Sequence, residues 1–140
     1  MPISLIGLIN SLSLKDRGSH QVAAGVRFGD EARQRLDIYA PKTASGPVPV
    51  IVYYHGGGWD SGAPENYEFV GRSLAALGYV VALPAYGLLP AVEYPVFLQD
   101  CADAARFVAE HAASWGGDAT RMALGGHSAG AYNAAMVALD

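Results

Sequence analysis

The segment Val50-Ile51-Val52-Tyr53-Tyr54 has no polar position on either face. A strand of this kind needs cover above and below, the condition of a parallel strand inside a helix-covered sheet. The residues that follow repeat the arrangement. His55 to Gly62 is a glycine-rich loop. Tyr67, Val70, Leu74 and Leu77 are spaced by three and four and predict a helix capped by Gly78. Tyr79 to Leu83 reads as a second buried strand. The stretch 84–95 carries three prolines and is irregular, and Pro95 suits the first turn of a helix striped by Phe97, Cys101, Ala104, Val108 and His111. After a loop at Gly116-Gly117-Asp118 come a short strand, Arg121 to Gly125, and a helix, Ala129 to Leu139, with Tyr132, Met136 and Leu139 expected inward. Alternating strands and helices imply parallel strands joined by right-handed crossovers. Upstream, Gln21 to Phe28 and Gln34 to Ala40 read as a hairpin turning at Gly29-Asp30. The expected class is α/β: a mostly parallel sheet with an antiparallel leading strand pair, flanked by helices.

A chain of 140 residues is one domain's worth. Residues 1–20 are expected to form an N-terminal helix or arm on the surface of a domain spanning 21–140. The apolar residues Ile3, Leu5, Ile6, Leu8 and Ile9 have no Lys or Arg before them, so no secretory signal is expected, and the run is too short for a bilayer. With 16% charged residues, a net charge of −4 and no basic cluster, neither nucleic acid nor an anionic membrane is an expected partner. Cys101 is the only cysteine, so no internal disulfide forms, which suits a cytoplasmic location. No Cys/His spacing suggests a metal, and nothing calls for a cofactor.

The chemistry lies in Gly126-His127-Ser128-Ala129-Gly130, a G-x-S-x-G between a predicted strand and a predicted helix. A hydroxyl is a weak nucleophile until a base takes its proton, and a sharp turn between strand and helix lifts it clear of the sheet. The Ala129 amide, at the helix start, is a natural donor to an oxyanion. The loop His55-Gly56-Gly57-Gly58-Trp59 supplies further amides. Gly57 and Gly58 are the expected donors, although the sequence does not rank them against Gly56. His55 is expected to hold that loop by hydrogen bonds, and His127 to diverge from Ser128. His20 and His111 have no placement that reaches the serine. Trp59 either lines the substrate pocket or packs.

These features resemble the α/β-hydrolase superfamily, and most closely the bacterial carboxylesterases of the hormone-sensitive-lipase and feruloyl-esterase-like group. The stretches that carry the likeness are R-Q-R-L-D-I-Y-A-P at 33–41, H-G-G-G-W at 55–59, Y-P-V-F-L-Q-D at 94–100 and G-G-D-A-T-R-M-A-L-G-G-H-S-A-G at 116–130. The resemblance implies a carboxylic ester hydrolase acting on a small-molecule ester. Ser128 would be the acyl-accepting nucleophile, Gly57, Gly58 and Ala129 the oxyanion hole, and His55 the loop-stabilising histidine. It also implies an acid and a base later in the chain, in the order Ser, Asp or Glu, His. Neither falls within these 140 residues, since Asp140 only closes the last helix. The expectation is therefore the N-terminal part of the fold, with its C-terminal strands absent and little activity alone. An open apolar edge would then invite self-association or a complementary C-terminal half. Two alternatives are a non-catalytic remnant that binds a partner, and an acyltransferase or formamidase using the same serine. One departure lies at 84–95. Where such enzymes carry Asp-Tyr-Arg and then Pro-Glu, this chain has Ala85, Gly87 and Ala91, which predicts that a buried ionic network is lost in concert.

Overall fold

The computed structural model describes residues 4–140. A short helix, α1 (Leu5–Leu12), precedes five strands and three further helices: β1 (Ser19–Arg27), β2 (Arg35–Pro41), β3 (Val48–Tyr54), α2 (Glu68–Ala76), β4 (Val80–Pro84), α3 (Val96–His111), β5 (Gly117–Gly126) and α4 (Ala129–Leu139). The strands form one sheet in the order β1-β2-β4-β3-β5. β1 and β2 are antiparallel, as are β2 and β4, while β3 runs parallel to both β4 and β5.

The apolar run Val50 to Tyr54 lies in β3, and both its faces are covered. Val50, Val52 and Tyr54 pack with Leu36, Ile38, Val80 and Ala82 against Cys101 and Val108 of α3 and Ala134 of α4. On the other face Tyr53 joins Tyr39, Val81 and Leu83 beneath Tyr67, Ala75 of α2 and Ile6 of α1. Each fully buried Val or Leu contributes about 1.5–3 kcal/mol, so these two clusters fix the sheet's register.

Three inward assignments are corrected. Leu77 is exposed, because α2 ends at Ala76 and Leu77 caps it; Gly71 and Ala75 are the buried positions. His111, the last residue of α3, is also exposed, while Phe97, Cys101, Ala104 and Val108 are buried. In α4 the expected face is turned outward. Tyr132 and Leu139 are 42% and 86% exposed and Met136 only half-buried, whereas Gly130, Asn133 and Ala134 face the sheet. Small residues go inward there because the helix presses on backbone: a Cβ at Gly130 would lie 2.1 Å from the Tyr54 carbonyl oxygen.

The stretch 84–95 also differs from expectation, since a buried carboxylate does brace it. Asp100 in the first turns of α3 accepts from Arg33 Nε at 2.7 Å, Gln34 Nε2 at 3.2 Å and the Gly87 amide at 2.8 Å. A Cβ on Gly87 would come within 3.0 Å of Arg33 Nε and 2.5 Å of Val92. The bare residue at 87 thus leaves room for a guanidinium that arrives from position 33.

Candidate active site

The chain leaves β3 toward β4 on one side and returns to β5 on the other. Ligands favour the crevice outside the carboxyl ends of parallel strands at such a reversal. β3 and β5 end in register, Tyr54 beside Gly126, and the His127 amide donates to the Tyr54 carbonyl at 3.2 Å. The glycine loop and the G-x-S-x-G turn therefore emerge next to each other.

The turn after β5 is a tight one. Ser128 has φ +55° and ψ −117°, a conformation that L-residues with a side chain rarely adopt. The two glycines that flank it permit close packing. A Cβ at Gly126 would lie 2.4 Å from Gly130 backbone, and one at Gly130 would strike the carbonyls of Tyr54 and His55. Ser128 is exposed, and α4 starts at the residue after it.

The facing loop is held from several sides. Its Gly57 has φ +134°, and the Gly57 carbonyl accepts from the Ser61 amide at 3.0 Å and the Ser61 hydroxyl at 2.8 Å. A Cβ at Gly57 would sit 2.1 Å from the Ser61 carbonyl oxygen, so only glycine fits. His55 is buried, stacks on Tyr86 with centroids 4.3 Å apart, and its Nδ1 lies 2.8 Å from the Gly56 carbonyl oxygen. That contact requires a proton on Nδ1. Burial lowers the imidazole's pKa, so the ring stays neutral at neutral pH. The Tyr86 hydroxyl donates to the His55 carbonyl at 2.7 Å. Because the amide of the next residue, Gly87, is fixed by Asp100, the ionic brace and the glycine loop form one connected unit.

The glycine amides are not equivalent. Gly56 N–H donates to the Tyr67 hydroxyl at 3.1 Å, while the amides of Gly57, Gly58 and Ala129 have no hydrogen-bond partner among the described residues. A cavity of about 270 Å³ is lined by Gly56, Gly57, Gly58, Tyr67, His127 and Ser128, together with Ser4 and Ile6 of the α1 region. Trp59 is not among the lining residues. Its indole donates to Asn133 Oδ1 at 3.0 Å and packs on Phe97 and Tyr132.

His127 shares this cavity and bonds Tyr67 through Nδ1 at 2.8 Å. No hydrogen bond joins it to Ser128 among the described residues. His20 sits on β1, at the opposite edge of the sheet, and His111 at the end of α3 remote from the carboxyl ends of β3 and β5. Tyr67 was missed as a site residue. It lies in a short 3-10 turn, Pro64–Tyr67, ahead of α2, and its spacing marks it only as an apolar helix position. An exposed serine beside unpartnered amides in a cavity can take an acyl group and stabilise the anion that forms, once a base is supplied.

The BD-FAE family profile matches residues 36–140. The chain is 37% identical over 122 residues to a probable isoprenylcysteine alpha-carbonyl methylesterase, ICME, of Oryza sativa subsp. japonica, covering 87% of this chain and 30% of that protein. It is 38% identical over 102 residues to carboxylesterase NlhH of Mycobacterium tuberculosis, covering 72% of this chain and 32% of that protein. Esterase B from Lactobacillus rhamnosis superposes with a TM-score of 0.88 at 27% identity, covering 95% of this chain and 43% of that one. The chain spans less than half the length of each. No helix of the described residues is long and apolar enough to cross a membrane. With the profile covering well over half of it, the chain belongs to the BD-FAE family of α/β-hydrolase carboxylesterases and corresponds to the N-terminal region of their fold.

Proposed function

We propose that this chain carries the nucleophile and the oxyanion-binding half of a carboxylic ester hydrolase acting on a small-molecule ester. The observation that supports the reading most is Ser128 at positive φ, exposed in one cavity with Gly57 and Gly58. In this mechanism Ser128 Oγ attacks the ester carbonyl. The amides of Gly57, Gly58 and Ala129 hold the oxyanion, each worth about 3–4 kcal/mol when aimed correctly. The alcohol leaves, an acyl-enzyme remains, and water releases the acid. His55 acts on the loop and takes no proton from Ser128.

The base and its acid partner are assigned to polypeptide outside these 140 residues, because no histidine follows Ser128 in them. In subtilisin the loss of the base alone costs about 10⁶ in turnover and leaves about 10³–10⁴ over water. The chain alone is expected to be nearly silent on p-nitrophenyl acetate. A form extended by a segment bearing the late acid and histidine is expected to turn over, and Ser128→Ala in that form to lose about 10⁶. Turnover that survives Ser128→Ala would end the proposal. Among the described residues β5 pairs on one side only, so a second copy or a complementary C-terminal segment is the expected cover for its free edge. Size-exclusion chromatography of the 140 residues tests that, and a stable monomer speaks against it.

A further inference from the structure

The Tyr67 hydroxyl joins the two halves of the site. It accepts the Gly56 amide proton at 3.1 Å and lies 2.8 Å from His127 Nδ1. The three groups are pressed together: a Cβ at Gly56 would come within 2.8 Å of the His127 carbonyl oxygen and 2.9 Å of its Nδ1. Tyr67 is only 3% exposed, so its proton needs an acceptor inside the protein. If His127 carried its proton on Nδ1, the hydroxyl oxygen would receive two donors and its own proton would have none. With the proton on Nε2, Gly56 N–H, the Tyr67 hydroxyl and His127 Nδ1 are all paired. Burial raises the Tyr67 pKa, which keeps the hydroxyl a donor.

We propose that Tyr67 is a positioning residue that ties the glycine loop to the serine turn and fixes His127 with its proton on Nε2, as a donor to an oxygen of the bound ester. The tie explains why Gly56 is removed from the set of free amides while Gly57 and Gly58 remain. It also gives His127 a binding role in a cavity otherwise furnished with backbone amides, Ser4, Ser61 and Asn66. The donor role rests on Ser128 being the nucleophile; the tie and the proton position do not.

The test is nitrogen NMR of the imidazoles in the 140-residue chain, with His127→Gln identifying the His127 signals. The wild type is expected to show one tautomer, protonated at Nε2, and Tyr67→Phe a mixture, although the ring is kept and the fold retained. A proton on Nδ1 in the wild type, or the same tautomer in both proteins, overturns the tie. In the form extended by the late acid and histidine, a fluorophosphonate that phosphonylates Ser128 then probes the donor. The adduct is expected to shift the His127 Nε2 resonance, and Tyr67→Phe to slow labelling about ten-fold, the loss of roughly one hydrogen bond's alignment. An adduct that leaves that resonance unmoved overturns the donor role. An extended form that is never labelled overturns the nucleophile reading and the donor role with it, and the tautomer comparison in the 140-residue chain still decides the tie.

Discussion

The glycine loop and the helix that follows Ser128 stand side by side but are held in different ways. The loop is fixed from all directions by residues between 33 and 100: His55 is buried on Tyr86, its carbonyl is taken by the Tyr86 hydroxyl, Gly56 is tied to Tyr67, and Asp100 anchors the amide next to Tyr86. α4 is fixed mainly from its sheet side, with Trp59 as its other hold. Asn133 and Ala134 are buried, yet Tyr132 and Leu139 face outward, and among the described residues β5 pairs only with β3. Two of the three proposed oxyanion amides, those of Gly57 and Gly58, are thus positioned within this stretch of chain. The nucleophile side is specified where α4 touches the sheet and where Asn133 and Tyr132 meet Trp59.

If that contrast holds, the largest effect should come where the two regions meet. Gly130→Ala would set a Cβ 2.1 Å from the Tyr54 carbonyl oxygen and 2.5 Å from that of His55. Both obstacles are backbone, so no rotamer change relieves them. A loss of about 3 kcal/mol or more is expected, read as a lowered denaturation midpoint or a failure to fold. A midpoint equal to wild type would mean that α4 is not seated on the loop as described. Next in size is Asp100→Ala, which leaves Arg33 and the Gly87 amide without their acceptor. A fully buried pair broken in this way costs about 3–5 kcal/mol; Arg33 is 32% exposed, so about 2 kcal/mol is expected. Equilibrium urea unfolding measures it, and an unchanged midpoint would detach the brace from the loop's stability.

The same contrast explains what the sequence made legible. The β3 run could be assigned because both its faces are apolar, and the serine turn because its geometry needs only neighbours in the chain, namely Gly126, Ser128 and Gly130. The facing of α4 could not be read, since Ala-Gly-Ala-Tyr-Asn-Ala-Ala-Met-Val-Ala-Leu has no polar stripe. There, size decides the matter: the close approach to the Tyr54 carbonyl admits only glycine at 130, and the bulky Tyr132 and Leu139 lie outward. The Asp100 brace was missed because its arginine lies 67 residues upstream, at a position that local pattern marks only as a turn. Tyr67 was hidden because its hydroxyl acts while its ring serves as an ordinary apolar helix residue.

A smaller effect separates the two regions by pH. Burial holds the His55 pKa below the ordinary 6.5, so between the two values the unfolded chain binds a proton that the folded chain refuses. Stability attached to His55 is therefore complete above about 6.5 and falls as the pH drops toward the folded value. Asp37 has the opposite linkage, since burial raises its carboxyl pKa from 3.8 and its contribution fades as pH rises. Comparing wild type with His55→Asn cancels Asp37. The wild type is expected to lose more stability between pH 7.5 and 5.5 than the variant, which keeps a donor for the Gly56 carbonyl. Equal losses would mean the loop histidine is not buried and neutral.

The smallest expected effect falls on the outward face of α4. Leu139 is 86% exposed and contributes no burial to either core cluster, so Leu139→Ser should change stability by no more than about 0.5 kcal/mol. Association is a different matter. An exposed leucine on the outer face of α4 offers apolar area that is removed from water only when something docks, and each square ångström so buried is worth about 25 cal/mol. If the free side of β5 and the outer face of α4 take a second copy, Leu139→Ser should lower the oligomer fraction on size exclusion while the urea midpoint at low protein concentration stays fixed. A fall in that low-concentration midpoint would show that Leu139 is covered within the monomer, and the asymmetry between the glycine loop and α4 would disappear.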